Sequence, residues 1–450
     1  MKLLRKIFCH SFFILSVLLL IYTFYKSEII FGGEKRNYYY TYYVICLILV
    51  FISFFSFNLN EKLKDYFIIS CVSIFLGLYL FEGYLSFLKF QGKQQIYLKK
   101  EIYKNKTGKN YDTRTIFELY DDYVRNDNRI TVKVPSYTYI KKKSKLFPLS
   151  SISNIKTINC NENGYHAIYF SDRYGFNNPN YEWDKKEIEY LLVGDSYTHG
   201  ACVNRPDDIA SVLRLLSNKS VLNLGYGGNG PLIEHAVLRE YLRSNIKKVL
   251  WIYYEGNDLK DLNYELNNTI LKNYLNNASF KQNLISKQDE INEIANSIIL
   301  SELRKQNKEI EKVWSKKNLI NFLKLNKLRS FINDNYLPEE FRPLYSSHDV
   351  KKTFKKILSM TKKLTNENNS ELYFVYLPSY SRYKTKNSDT NYKQVIKIVN
   401  DLDIPIIDIH KKVFKRIEDP LSLFPFKLYG HYNVEGYRRV AETIFEYTQK

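Results

Sequence analysis

The stretch Ile188-Glu189-Tyr190-Leu191-Leu192-Val193-Gly194-Asp195-Ser196-Tyr197-Thr198-His199-Gly200 decides the fold. Its first six residues form a short, largely apolar run, read as a buried strand that ends in Gly194-Asp195-Ser196. The same pattern repeats downstream. Ile209 to Leu216 reads as a helix, with Asp207 and Asp208 placed to cap its start. Val221 to Leu224 is a second strand, closing on Gly225-Tyr226-Gly227-Gly228, and Leu232 to Leu242 the next helix. Val249 to Tyr254 is a third strand, ending at Glu255-Gly256-Asn257-Asp258. Leu372 to Leu377 and Pro405 to Ile409 supply two more, and the closing helix runs from about Val434 to Tyr447. Strand alternating with helix implies right-handed crossovers and a parallel sheet covered on both faces, an α/β fold.

Upstream, residues 90–185 are polar, with turn clusters at Asn161-Glu162-Asn163-Gly164 and Asn177-Asn178-Pro179-Asn180. They read as a linker and a strand-and-loop segment leading into a main domain over 186–450. Residues 262–348 interrupt the alternation with Asn/Lys-rich helical sequence, an insertion near the ligand end of the sheet. It reads equally as a lid or as a surface excursion.

Residues 1–89 differ in kind. Ile7 to Tyr25, Tyr38 to Leu59 and Tyr66 to Phe81, the last continuing past Glu82 to Leu88, are each apolar enough to cross a bilayer. No small-residue cleavage site follows the first run and two more spans do, which argues against a signal peptide. Three transmembrane helices are expected. Lys2, Arg5 and Lys6, with Lys62 and Lys64, favour a cytoplasmic N-terminus over the loop that holds Lys26, Lys35 and Arg36. Three spans then place the main domain outside.

The 450 residues are 45% hydrophobic, so the chain is not a disordered one. The net charge of +20 raises the question of an anionic partner: nucleic acid, lipid head groups or acidic glycan. The lysines are scattered, and the densest stretch, Arg304 to Arg329, has helix-like spacing without aromatic platforms, so it reads as a solvated face; no nucleic-acid partner is expected, since that reading would need the basic residues on one contiguous face. Cys9, Cys46 and Cys71 lie in the spans, where cysteine is a small hydrophobe. Cys160 and Cys202, the two in the soluble part, are compatible with one disulfide or with two thiols.

Function in such a sheet gathers at the carboxyl ends of its strands. Ser196 stands on the first strand-to-helix turn, where backbone N–H groups face a reacting carbonyl. Gly228 can present a bare N–H and Asn257 a side-chain N–H, giving a tetrahedral oxyanion two or three donors. A serine needs a base within hydrogen-bond reach, and His431 can return over the sheet from just before the last helix. His199, His235 and His410 read as packed histidines. No His/Cys/Asp spacing suggests a metal site, and no cofactor is implied.

These four blocks, Gly194-Asp195-Ser196-Tyr197-Thr198-His199-Gly200, Asn223-Leu224-Gly225-Tyr226-Gly227-Gly228, Gly256-Asn257-Asp258 and His431, stand in the order found in the SGNH/GDSL hydrolase superfamily, which the chain resembles over roughly 186–260 and 350–450. The resemblance implies a flavodoxin-like parallel sheet, with Ser196 as nucleophile and first oxyanion donor, Gly228 and Asn257 as further donors, and His431 as base. It also implies an ester substrate. One block departs from the family, which places an Asp two or three residues before the histidine; here those positions hold Tyr429 and Leu428. His431 is then oriented by a main-chain carbonyl, that of Leu428 being in reach, or by a distant carboxylate such as Asp419 or Asp408, or the site has decayed. The expectation is a dyad on a carbonyl. The resulting reading is a membrane-anchored serine esterase or O-acyl transferase acting on lipid or cell-envelope glycan; the alternative is a non-catalytic binding module with a degenerate site.

Overall fold

The computed structural model describes residues 2–33, 36–91, 94–126, 129–140, 144–309, 316–335, 350–384 and 390–449. Among the positions weighed above, Lys35 and residues 310–315 and 336–349 of the insertion lie outside them. The chain forms two compact units, Met1–Tyr97 with Ile310–Asp349, and Leu98–Glu309 with Val350–Lys450.

The first unit contains three long helices, Lys2–Phe24, Arg36–Ser56 and Glu61–Gln91, the first extended by a π-helical turn at Tyr25–Ile30. The stretches Lys2–Ile30, Tyr38–Ser56 and Glu61–Phe87 are long and apolar enough to cross a membrane. Leu18, Ile48 and Phe75 are among many apolar side chains left exposed along them, a surface suited to lipid rather than water. At one end Arg5 ties the first helix to the third through Glu61 and Asp65. The middle of the insertion belongs to this unit. Glu82 is buried, and its carboxylate accepts from the backbone N–H of Lys327 (3.0 Å) and Leu328 (2.7 Å), closing the first turn of the helix Asn326–Asn335. Arg329 donates to the hydroxyls of Tyr38 and Tyr42, and the Tyr79 hydroxyl to the carbonyl of Leu323. The insertion is thus divided, its residues up to Glu309 in the second unit and the helices Lys316–Leu323 and Asn326–Asn335 in the first.

The second unit begins with three short strands, β1 (Ile130–Val132), β2 (Lys156–Ile158) and β3 (Ile168–Phe170), paired in the order β1-β2-β3. The main sheet follows: β4 (Ile188–Gly194), β5 (Val221–Asn223), β6 (Ile246–Tyr254), β7 (Glu371–Leu377) and β8 (Ile406–Asp408). Its order is β5-β4-β6-β7-β8, every pair parallel, which is the flavodoxin-like order 2-1-3-4-5. All seven residues of β4 are buried, as expected of a strand covered on both faces. One layer of the core joins Tyr190 and Leu192 to Leu213 and to Val440 and Ile444 of the last helix, Val434–Thr448. The register Leu192 to Asn223 and Gly194 to Ile252 brings the ends of β4, β5 and β6 to one edge, where the site lies.

Candidate active site

β4 ends at Gly194 and the chain turns at once into a four-residue helix, Ser196–His199. Asp195 caps it, accepting from the Tyr197 N–H (2.8 Å). The helix stops at Gly200, whose φ of +79° is left-handed and whose place leaves no room for a Cβ, since one would stand 2.4 Å from Asp208 Cβ. Ser196 is therefore held at the first helical position, where its own N–H has no intrahelical acceptor.

The glycine-rich turn after β5 lies against this helix. Asn223 donates to the Thr198 carbonyl (2.8 Å) and accepts from the Gly225 N–H (2.9 Å), fixing the turn to the nucleophile's helix. A Cβ built on Gly227 would stand 4.0 Å from Ser196 Cβ, and one on Gly228, where φ is +85°, only 2.7 Å from the Tyr137 ring. Gly228 is thus a glycine for two reasons, conformation and space. After β6, Asp258 accepts from the Tyr254 N–H (2.8 Å), which fixes the loop that carries Asn257. Asn257 heads the helix Asp258–Glu265, and its amide donates to Asp261 (2.6 Å) while its buried carbonyl oxygen has no partner among the described residues. Burial pushes the Asp261 carboxyl up to about 7, against the effect of that hydrogen bond.

His431 reaches Ser196 from the far end of the chain: the Ser196 hydroxyl donates to its Nε2 at 2.8 Å. Tyr197 stacks on Tyr254 with centroids 3.9 Å apart and supports the imidazole at 4.8 Å. The Nδ1 side differs from the expectation. It donates to Glu162 Oε1 at 3.0 Å, and the His431 backbone N–H donates to Glu162 Oε2 at 2.5 Å. The Leu428 carbonyl does not serve this nitrogen, and neither candidate acid is near it. Asp408 caps a short helix by accepting from Lys411 N–H and also takes the Tyr392 hydroxyl (2.5 Å). Asp419 caps the turn Pro420–Leu423 and pairs with Lys427 at 2.7 Å. Local backbone donors claim both aspartates, which is why they cannot also reach the imidazole.

Glu162 is placed by its neighbours. Cys160 is joined to Cys202, linking the glutamate's loop to the chain just after the Ser196 helix. Asn161 donates to the Asp112 carbonyl and accepts from Gly164 N–H, and Asn163 donates to the Cys202 carbonyl. Gly430 leaves space for the carboxylate, because a Cβ there would stand 2.6 Å from Glu162 Oε2. Burial would raise this carboxyl, but the charge of His431 and the two hydrogen bonds from it prevail and hold it below the ordinary glutamate value. In the sequence, Asn161-Glu162-Asn163-Gly164 reads as a plain turn. The one available signal was the absence of an acid near His431, and a separation of 269 residues gave no spacing to read.

His199, His235 and His410 are packed, as their sequence settings suggest. His199 is buried against Tyr169 and Tyr226, His235 meets Thr361, and His410 meets Tyr383.

No family profile matches the chain, and no curated protein matches it in sequence. Among solved structures, one described as a lipolytic protein of the G-D-S-L family from Desulfitobacterium hafniense DCB-2 is similar at 13% identity and a TM-score of 0.32. An acetyl xylan esterase is similar at 10% identity and the same TM-score. Each comparison covers 58% of this chain and 99% of the other. The fold is α/β with the flavodoxin-like 2-1-3-4-5 parallel sheet, and the four sequence blocks gather at its carboxyl edge.

Proposed function

We propose that the protein is a membrane-anchored serine esterase or O-acyl transferase that works through an acyl-serine intermediate. The observation that carries this is the continuous chain from Ser196 Oγ through both nitrogens of His431 to Glu162. His431 takes the serine proton as Oγ attacks the ester carbonyl, and Glu162 stabilises the imidazolium and holds its tautomer. The N–H groups of Ser196 and Gly228, joined by the Asn257 amide once it turns from Asp261, receive the oxyanion. Collapse expels the alcohol, protonated by His431. Water or an acceptor hydroxyl then attacks the acyl-serine by the same route.

The three apolar helices support an anchor, and a formed Cys160–Cys202 disulfide supports an oxidising compartment for the catalytic unit, hence an extracytoplasmic ester of lipid or envelope glycan as substrate. Hydrolysis of 4-nitrophenyl acetate by the wild type, reduced by several orders of magnitude in Ser196→Ala, is the expected result. Equal rates in both would end the proposal. A reporter active only in the cytoplasm, fused after residue 450, should stay silent; a strong signal would place the body inside.

A further inference from the structure

A cation stands beside the nucleophile and takes no part in the chemistry above. Lys133 directly follows β1, and its backbone N–H donates to the Ile158 carbonyl (3.0 Å). Three residues on, Ser136 N–H donates to the Gly227 carbonyl (3.0 Å) and the Ser136 hydroxyl to Asn229 (2.7 Å). This segment is therefore fastened to the glycine-rich turn. The point where a Cβ on Gly227 would stand is 3.1 Å from Lys133 Nζ and 4.0 Å from Ser196 Cβ, so the ammonium lies within a small substrate's reach of the nucleophile.

The side chain is largely withdrawn from water, and burial lowers its pKa to about 8, opposed by the charges of Asp195 and Glu162. It remains mostly protonated at neutral pH. The ammonium nevertheless makes no hydrogen bond or ion pair with any described residue. The two nearby carboxylates are engaged elsewhere, Asp195 on Tyr197 N–H and Glu162 on His431. A desolvated cation without a close counter-charge is costly, and such a cost persists at a site where a ligand brings the counter-charge. A neutral ester would leave the ammonium unpaired; an anion attached near the scissile bond would pair it.

We propose that Lys133 binds a carboxylate or phosphate carried by the substrate beside its ester, so that the enzyme selects anionic esters. This rests on the esterase reading. The full-length protein in detergent would be assayed on acetylated glucuronic acid, acetylated glycerol phosphate and acetylated glucose. The wild type should prefer at least one anionic ester by about tenfold or more in kcat/KM. Lys133→Met should bring that preference to near unity, mainly by raising KM, and Lys133→Arg should restore part of it. Which anion is favoured distinguishes a sugar carboxylate from a glycerol phosphate. Equal kcat/KM on charged and neutral esters in the wild type would overturn the inference without needing any variant. So would an equal fall on all three esters in Lys133→Met, which would make Lys133 a general electrostatic support. If no ester is turned over, the esterase reading fails. Calorimetric titration with glucuronate, glycerol phosphate and glucose then decides the anion site: binding of an anion but not of glucose, lost in Lys133→Met, upholds it, and no anion binding overturns it.

Discussion

Replacing Glu162 by Gln tests the part of the site that sequence could not supply. The carboxylate accepts from Nδ1 at 3.0 Å, and both side chains are about one-fifth exposed (21% and 23%). Two unit charges at that distance attract by about 5.5 kcal/mol at an effective dielectric near 20, and by about 1.4 kcal/mol in bulk water. A partly exposed pair lies between, so stabilisation of the imidazolium is worth about 3–4 kcal/mol, or roughly 150- to 900-fold in rate. Gln also offers an N–H that favours the wrong tautomer, a change that costs about 10⁴-fold in a serine protease triad. Glu162→Gln should therefore lower kcat/KM on 4-nitrophenyl acetate by about 10²- to 10⁴-fold. Asp408→Asn and Asp419→Asn should cost less than about tenfold, since neither touches His431. The folded Glu162 carboxyl titrates below its unfolded value, so the stability it contributes is present above the unfolded pKa and lost as pH falls through the folded one. The difference in unfolding midpoint between wild type and variant should accordingly shrink as pH is lowered. A Glu162→Gln enzyme within tenfold of wild type would refute the triad.

Three further outcomes follow from the same geometry. Gly430→Ala puts a Cβ 2.6 Å from Glu162 Oε2 and should lower kcat/KM by roughly 10- to 100-fold while leaving the protein folded; steady-state kinetics beside far-UV circular dichroism reads both. Burial raises Asp261 to about 7, so the stability it contributes is present at low pH and is lost as pH rises through 7. Asp261→Asn lacks that loss, and its melting temperature relative to wild type should rise between pH 5 and 9; a constant difference would show that Asp261 does not titrate there. Opening the Cys160–Cys202 bridge, by reductant or by Cys160→Ser, should cost about tenfold or more in turnover because it frees the loop carrying Glu162. Non-reducing mass spectrometry should show the linked peptide pair, and two freely alkylated thiols would count against it.

Much of the main sheet could be read along the chain, because its information is local. The strands are short apolar runs, and β4, β5 and β8 close on Gly194, Asn223 and Asp408. The helix expected from Ile209 is present and capped by Asp208, whose carboxylate accepts from Ser211 N–H; Asp207 takes no part in the cap. Ser196 and His431 were legible for the same reason, each lying in a block tied to a strand or helix end, and the structure brings them within 2.8 Å. The three apolar helices needed only length and composition.

Contacts between distant segments were decided by tertiary structure. Residues 98–185 carry no strong periodicity, so nothing along the chain showed that they pack in the same unit as the sheet, or that one of their turns supplies a carboxylate to His431. Along the chain, Asp408 and Asp419 are the candidate acids before His431, yet each is spent on backbone N–H groups a few residues away. The insertion likewise reads in sequence as lid or excursion, since the acceptor for the helix that starts at Asn326 is Glu82 of the third long helix, 245 residues before Lys327. The physical reason is common to all three. Propensity, capping and hydrophobic period act over a few residues and can be read in order, whereas an ion pair or a cap supplied by a remote side chain depends only on which surfaces the folded chain brings together.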